Sequence, residues 1–270
     1  MASKFYFTEL ATTGSDTSSW TWRGAWDSTA SAVTRKLGDG KGTTGATIGI
    51  ADGTAATNNL DIALGRWVSD VLTDSFTITA STDTWSMIAG ALENNAAAND
   101  VWHVCIYVTV GDAAGTGPSV RTNLLTTATT DNIAGTITTQ EWPTTAAGKQ
   151  FKTGDTTTAI PFAAGVAAQV GDRIVVEVGY QAQQTVTTSY TGTMNYGGAN
   201  ADATDTGAAT GAGWIQFDTV TVPSPSLSPS ASESPSLSPS ASESPSLSPS
   251  ASLSPSASAS PSLSPSASTS

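Results

Sequence analysis

The sequence has few charged side chains and almost none of the residues that metal sites and disulfides require. Charged residues make up 12% of its 270 residues, and the formal net charge is −12. The single cysteine, Cys105, excludes an internal disulfide, and the single histidine, His103, excludes a multi-histidine metal site. We therefore expect no metal and no other cofactor.

Basic clusters and long apolar runs are also absent. Without a basic surface to contact phosphates, the sequence predicts no nucleic-acid partner. No run reaches the roughly 18 apolar residues of a membrane span, so no membrane association is expected. The segment Met1–Phe7 lacks the apolar core and cleavage site of a secretory signal. We expect a virion or extracellular location, reached without a conventional signal peptide.

The composition changes near Val222, and this change predicts two parts. Residues 223–270 contain 10 of the 13 prolines, and every second residue from Ser224 to Ser270 is serine. Proline fixes φ and lacks a backbone donor, so this segment is predicted to be an extended or disordered Ser/Pro tail. Residues 1–222 are predicted to form the folded domain.

Three interpretations of the tail remain open: a disordered linker, a mucin-like O-glycosylated stalk, or an edge strand that pairs with a neighbouring subunit. The candidate O-glycosylated residues are Ser226, Ser228, Ser236, Ser238, Ser246 and Ser248.

Apolar residues in the first 222 positions alternate with polar ones, as is typical of β-strands. The clearest segments are Val101–Val110 and Arg173–Tyr180, in which every second residue is large and apolar. Eight weaker segments, including Trp20–Trp26, follow the same pattern between clusters of turn residues. We predict an all-β domain, an antiparallel β-sandwich resembling a jelly roll.

Aromatic residues supply the candidate binding surface. Trp20, Trp22 and Trp26 would share one face of a strand, where flat rings could stack on sugars, although an inward core face is the simpler interpretation. Tyr190 and Tyr196 form a second candidate glycan-contacting patch.

Catalytic interpretations are weaker. His103 and Cys105 are neighbours on one strand face, but they lack the surroundings of a thiol nucleophile, so we expect structural roles. Carboxylates and amides near turns, including Asp61, Asp70 and Asp100, are expected to be surface residues. Calcium could bind such turns, but no EF-hand pattern is present. No catalytic motif surrounds any carboxylate pair.

Several short segments together resemble uncharacterised structural proteins of tailed bacteriophage virions and environmental bacterial surface appendages. These segments are Arg23–Asp27, Ala32–Arg35, Glu141–Thr145, Gly171–Tyr180 and Thr188–Gly192. The resemblance implies a non-enzymatic structural protein of a virion or filament that forms homo-oligomers or contacts other subunits, with no catalytic residues. The alternative hypothesis is a carbohydrate-binding adhesin or receptor-binding module that recognises surface glycans.

Overall fold

The computed structural model describes residues 3–12, 20–53, 59–110, 119–125, 129–130, 141–151, 159–184, 186–218 and 220–222. Over these residues the chain forms strands and no helix, so the prediction of an all-β fold is confirmed. All of them belong to one compact unit, Met1–Leu227. The tail and its six candidate serines lie outside the described residues, and the predicted boundary at Val222 stays a prediction.

The strands are β1 (Ser3–Phe7), β2 (Val33–Gly38), β3 (Gly45–Ala51), β4 (Leu60–Ser69), β5 (Phe76–Ile78), β6 (Thr84–Glu93), β7 (Asp100–Val110), β8 (Ser119–Asn123), β9 (Thr129–Thr130), β10 (Ala147–Gln150), β11 (Ile160–Pro161), β12 (Val166–Ala168), β13 (Arg173–Ala182), β14 (Thr191–Gly197) and β15 (Trp214–Phe217). In the described part of the chain, no helix is long and apolar enough to cross a membrane.

Thirteen strands form one mixed sheet. Its main path runs β3-β14-β6-β15-β1-β2-β4-β13-β7-β8, and β10 and β11 also pair with β6, while β9 pairs with β7. All of its strand pairings are antiparallel except the parallel pair β2–β4. Strand β1 lies between β15 and β2, and the Ser3 hydroxyl accepts a hydrogen bond from the Val222 backbone N–H at 2.7 Å.

The two segments with the clearest alternation form β7 and β13, which pair along the whole length of β13. As predicted, Trp102, Val104, Ile106 and Val108 of β7 lie on the core side, but Val110 is 41% exposed because it ends the strand. The opposite face of β7 is also buried. Cys105 lies there in a second, smaller apolar cluster, so this part of the sheet is covered on both sides.

The segment Trp20–Trp26 covers that second face, and the prediction that it is a strand was wrong. The backbone N–H groups of Arg23 and Gly24 donate to the buried Glu177 carboxylate of β13 at 2.9 to 3.1 Å. These donors are therefore not available to a neighbouring strand. Ala25 follows with φ of 54°, a left-handed conformation that turns the chain away from an extended path.

Candidate functional site

A group of buried carboxyl groups lies where β6 ends and β7 begins. Glu93 is the last residue of β6, and Asp100 is the first residue of β7. Both continue the inward-facing alternation of their strands, after Ala91 in β6 and before Trp102 in β7. Glu93 is 1% exposed and Asp100 is fully buried. The same parity that buries the apolar residues therefore buries these two carboxyl groups.

Backbone hydrogen bonds hold a third acidic residue beside them. The Asp100 backbone N–H donates to Glu93 Oε2 at 3.0 Å. The Trp142 N–H donates to the Asp100 carbonyl at 2.7 Å, and the Glu93 N–H donates to the Pro143 carbonyl at 3.1 Å. These bonds fix the segment after Glu141 along the end of the β6–β7 hairpin. Glu141 is only half-buried, so it forms the solvent-facing side of the group.

The surroundings favour protonated carboxyl groups. Burial, together with the neighbouring Glu141 carboxyl, raises the pKa of Glu93 to about 8, although the bond from the Asp100 N–H opposes this rise. Burial and the nearby carboxylates of Glu93 and Asp52 raise the pKa of Asp100 well above its usual range. Among the described residues, neither Asp100 carboxyl oxygen has a hydrogen-bond partner.

The side of this group nearest β3 is polar and tightly packed. Asp52 accepts hydrogen bonds from Gln184 Nε2 at 2.7 Å and from the Tyr190 N–H at 2.8 Å, while burial raises its pKa. A Cβ atom at Gly192 would lie 2.6 Å from the Tyr180 ring and 2.9 Å from an Asp100 oxygen. Only glycine therefore fits at this position beside Asp100.

The acidic residues determine the chemistry that the site can perform. A buried carboxyl group with a raised pKa can act as a general acid, and a neighbouring carboxylate can act as a general base. Within the described ranges, no three or more His, Cys, Asp or Glu side chains are grouped to hold a metal ion.

The three predicted tryptophans come together over the second face of the sheet. The Arg66 guanidinium lies 4.7 Å from the Trp22 ring and 5.9 Å from the Trp20 ring. The Trp26 indole N–H donates to the buried Glu177 carboxylate at 2.8 Å. All three rings therefore contact the protein itself, and glycan contact by them stays a prediction.

The two candidate tyrosines are placed differently. Tyr196 is buried, with its ring 5.4 Å from the Trp67 ring, whereas Tyr190 is half-buried beside Asp52. The structure therefore places Tyr190 next to the Asp52 carboxyl group and Tyr196 in the core. Glycan contact by either ring stays a prediction as well.

His103 and Cys105 have the structural environment that the sequence predicts. Burial raises the pKa of the Cys105 thiol, which keeps it protonated. Burial lowers the pKa of His103 to about 4, and its ring packs edge-on against Trp26 at 4.9 Å. His103 Nδ1 lies 3.3 Å from an Asp61 oxygen. A neutral imidazole and a protonated thiol do not form an activated nucleophile.

The prediction that Asp100 is a surface turn residue was wrong. The preceding Asn-rich turn suggested exposure, but Asp100 is two positions before Trp102 and shares its inward parity. Glu93 likewise lies two positions after the buried Ala91 and shares its inward parity. Strand parity could have identified both residues, whereas the approach of Glu141 depends on a distant loop segment.

Comparisons with known proteins are limited to structural similarity. No family model and no curated protein matches the chain. Among solved structures, an aminopeptidase from the marine sediment archaeon Thaumarchaeota archaeon matches at 11% identity and a TM-score of 0.44, over 82% of this chain and 37% of its own. A CocE/NonD family hydrolase from Staphylococcus aureus matches at 7% identity and a TM-score of 0.40, over 81% and 36%. An alpha-amino acid ester hydrolase matches at 14% and 0.26, over 58% and 25%.

These neighbours correct the functional expectation. All three are named as hydrolases, and this finding contradicts the predictions of a non-enzymatic virion or filament protein and of a carbohydrate-binding adhesin. The chain spans little more than a third of the first two structures and a quarter of the third. The resemblance to bacteriophage and appendage proteins, homo-oligomer formation and a virion or extracellular location all stay predictions.

Proposed function

We propose that this β-domain is a hydrolase whose general acid and general base are the Glu93–Glu141 carboxyl pair. The observation that carries this proposal is the burial of Glu93 beside Asp100 at the end of β6, which together with the neighbouring Glu141 carboxyl raises the pKa of Glu93 to about 8. A catalytic acid that is protonated near neutral pH needs such a raised pKa.

The proposed reaction is hydrolysis of an acyl bond, in a peptide or an ester. The unprotonated carboxylate of the pair takes a proton from a water molecule, whose oxygen attacks the carbonyl carbon. The protonated carboxyl donates its proton to the substrate, and collapse of the tetrahedral intermediate releases an acid and an amine or alcohol. No covalent bond to the protein is required in this mechanism.

Access is from the side of Glu141, which is half-buried, whereas Glu93 and Asp100 lie inside. We assign Asp100 as a positioning residue. Its backbone N–H binds one Glu93 oxygen, and the nearby Glu93 carboxylate helps to raise the pKa of the Asp100 side chain.

The proposed scaffold for this site is a β-sandwich resembling a jelly roll, with Glu93, Asp100 and Glu141 at one end of the core. Contacts between strands far apart along the sheet path support two facing layers. Tyr180 of β13 donates to the Ile50 carbonyl of β3 at 2.7 Å, and Trp67 of β4 packs against Tyr196 of β14. Trp102 of β7 donates its indole N–H to a β10 carbonyl at 3.1 Å.

The test is turnover of a panel of chromogenic peptide and ester substrates between pH 4 and 9. We expect Glu93→Gln and Glu141→Gln to lower kcat by about 100-fold or more, the usual effect of losing a general acid or base. Asp74→Asn, which makes the matching change at an exposed carboxylate, should leave kcat unchanged. Absence of turnover on every substrate, or full activity in both glutamine variants, would overturn the proposal.

A further inference from the structure

Strand β3 leaves one edge of the main sheet without a partner strand among the described residues. It stands at the end of the sheet path and pairs only with β14, over seven consecutive residues without a register shift. Flanking backbone bonds show which groups face outward. The Asp52 N–H donates to the Tyr190 carbonyl, and the Gly198 N–H donates to the Thr44 carbonyl, so even-numbered residues bond to β14. In an antiparallel pair, the odd-numbered residues therefore direct their N–H and carbonyl groups outward.

Within the described residues, the solvent-facing side chains of β3 do not protect this edge either. Gly45, Thr47, Gly49 and Ala51, the odd-numbered residues of β3, are all exposed. The strand has no charged residue, proline or bulge, which are the features that usually block pairing with another chain.

The opposite end of the path shows such protection. Strand β8 is five residues long, its pairing with β7 is interrupted by a register shift, and it carries Arg121. Arg121 forms an ion pair with Asp172. The two ends of one sheet therefore differ, and only β3 presents a long, regular and uncharged edge among the described strands.

The β3 edge lies near the buried carboxyl groups of Glu93 and Asp100, because Asp52 directly follows the strand. Asp52 is close enough to Asp100 to raise its pKa. Beside the start of β3, a cavity of about 440 Å³ is lined by uncharged side chains, among them Thr47, Asn195 and Thr210. An added strand would thus have room for its side chains beside the start of β3. Its other end would lie near Asp52 and the buried carboxyl groups of the site.

We propose that an extended polypeptide with cationic side chains binds as an added strand along the free edge of β3. This inference rests on the proposed function, because it names a peptide as the substrate whose bond is brought to Glu93 and Glu141. The net charge of −12 favours Lys, Arg or a free amino terminus over acidic residues. Main-chain hydrogen bonds supply affinity in this mode of binding.

The test is fluorescence anisotropy with a labelled ten-residue peptide of alternating Thr and Val that carries two lysines. The Glu93→Gln protein is used so that the probe is not consumed. Thr47→Pro removes an outward N–H and should weaken binding by about fivefold or more, as expected for a lost backbone hydrogen bond. Thr47→Val keeps the N–H and the branched shape, so it should bind within about twofold of the parent.

A second arm leaves the protein unchanged, in case the proline variant does not fold. Two versions of the same peptide are made, each methylated on a different set of alternate backbone nitrogens. The version whose methylated nitrogens face β3 should lose binding, and the other version should keep it. A peptide with glutamate in place of lysine should bind about tenfold more weakly, and salt should reduce that difference.

The outcomes separate the two proposals. Equal binding by the proline and valine variants, together with equal binding by both N-methylated versions, overturns strand addition. Equal binding of the lysine and glutamate peptides overturns the cationic preference. Strong binding without turnover by the wild-type protein contradicts the hydrolase proposal and leaves the β3 site standing. Turnover of peptides that do not compete with the probe contradicts the β3 site alone.

Discussion

The raised pKa of Glu93 makes a quantitative prediction about stability. Raising the pH from 5 to 9 is expected to destabilise the folded protein, because Glu93 must then lose its proton while buried. A carboxyl whose pKa is higher in the folded state supports stability fully below its unfolded pKa. This contribution is lost as the pH rises through the folded value. The relevant window runs from 4.5 to about 8.

The magnitude follows from the same two values. At 1.36 kcal/mol for each pH unit between them, ionisation of Glu93 costs about 4 to 5 kcal/mol once the pH exceeds 8. Asp100 adds to the loss in the same direction. Glu93→Gln cannot ionise, so its free energy of unfolding should fall less steeply with pH than that of the wild type.

The measurement is urea-induced unfolding followed by tryptophan fluorescence at pH 5, 6, 7, 8 and 9. Asp74→Asn serves as the control, since Asp74 is exposed, and should keep the wild-type slope. A wild-type free energy of unfolding that stays constant within about 1 kcal/mol over this range would refute the reasoning. So would identical slopes in the wild type and the Glu93→Gln variant.

Three further predictions concern the packing around the site and the second face. Gly192→Ala should lower the free energy of unfolding by about 2 kcal/mol, because the new Cβ atom would meet the Tyr180 ring and an Asp100 oxygen. Gly45→Ala adds a Cβ atom in open space and should leave stability unchanged. Calorimetry of the two variants compares them. Glu177→Gln should cost about 2 kcal/mol and shift Trp26 emission to the red, since the carboxylate accepts several hydrogen bonds. Below pH 6.5, stability should fall towards pH 4 as His103 gains a proton, and His103→Gln should reduce that fall in acid unfolding curves.

Each of these has a clear contrary result. Equal melting temperatures for the two alanine variants would mean that the chain relaxes around position 192. Unchanged emission after Glu177→Gln would mean that the carboxylate does not hold the tryptophan segment. Identical acid unfolding curves for the wild type and His103→Gln would mean that the imidazole titrates normally.

Strand alternation accounts for what could be predicted from the sequence. The segments Val101–Val110 and Arg173–Tyr180 form two long central strands because their parity is unbroken. The same parity predicts an inward Asp100, but the polar turn before it favoured a surface interpretation. The polar composition of the turn correctly indicates an exposed loop, but it does not extend to Asp100, the first residue of the strand that follows.

Other features depend on contacts that local sequence does not contain. Trp20–Trp26 alternates like a strand, yet its amides bind Glu177, which lies more than 150 positions later. The placement of Glu141 beside Glu93 likewise needs the fold to be complete. No pattern within either segment indicates the partner, because the interaction is set by the register of distant strands.

The position of β1 has a consequence for how the chain acquires its fold. Among the described strands β1 is the first to be made, yet it pairs with β15, the last of them, and Ser3 bonds to Val222. During synthesis, the first strand has one neighbour missing until nearly all of the domain has left the ribosome. Folding should therefore finish late and depend on contacts with large sequence separation, which makes it slow. The same adjacency places Ser3 and Val222 within one hydrogen bond of each other. A circular permutant that joins them and opens elsewhere should keep the fold while replacing that late step by a local hairpin.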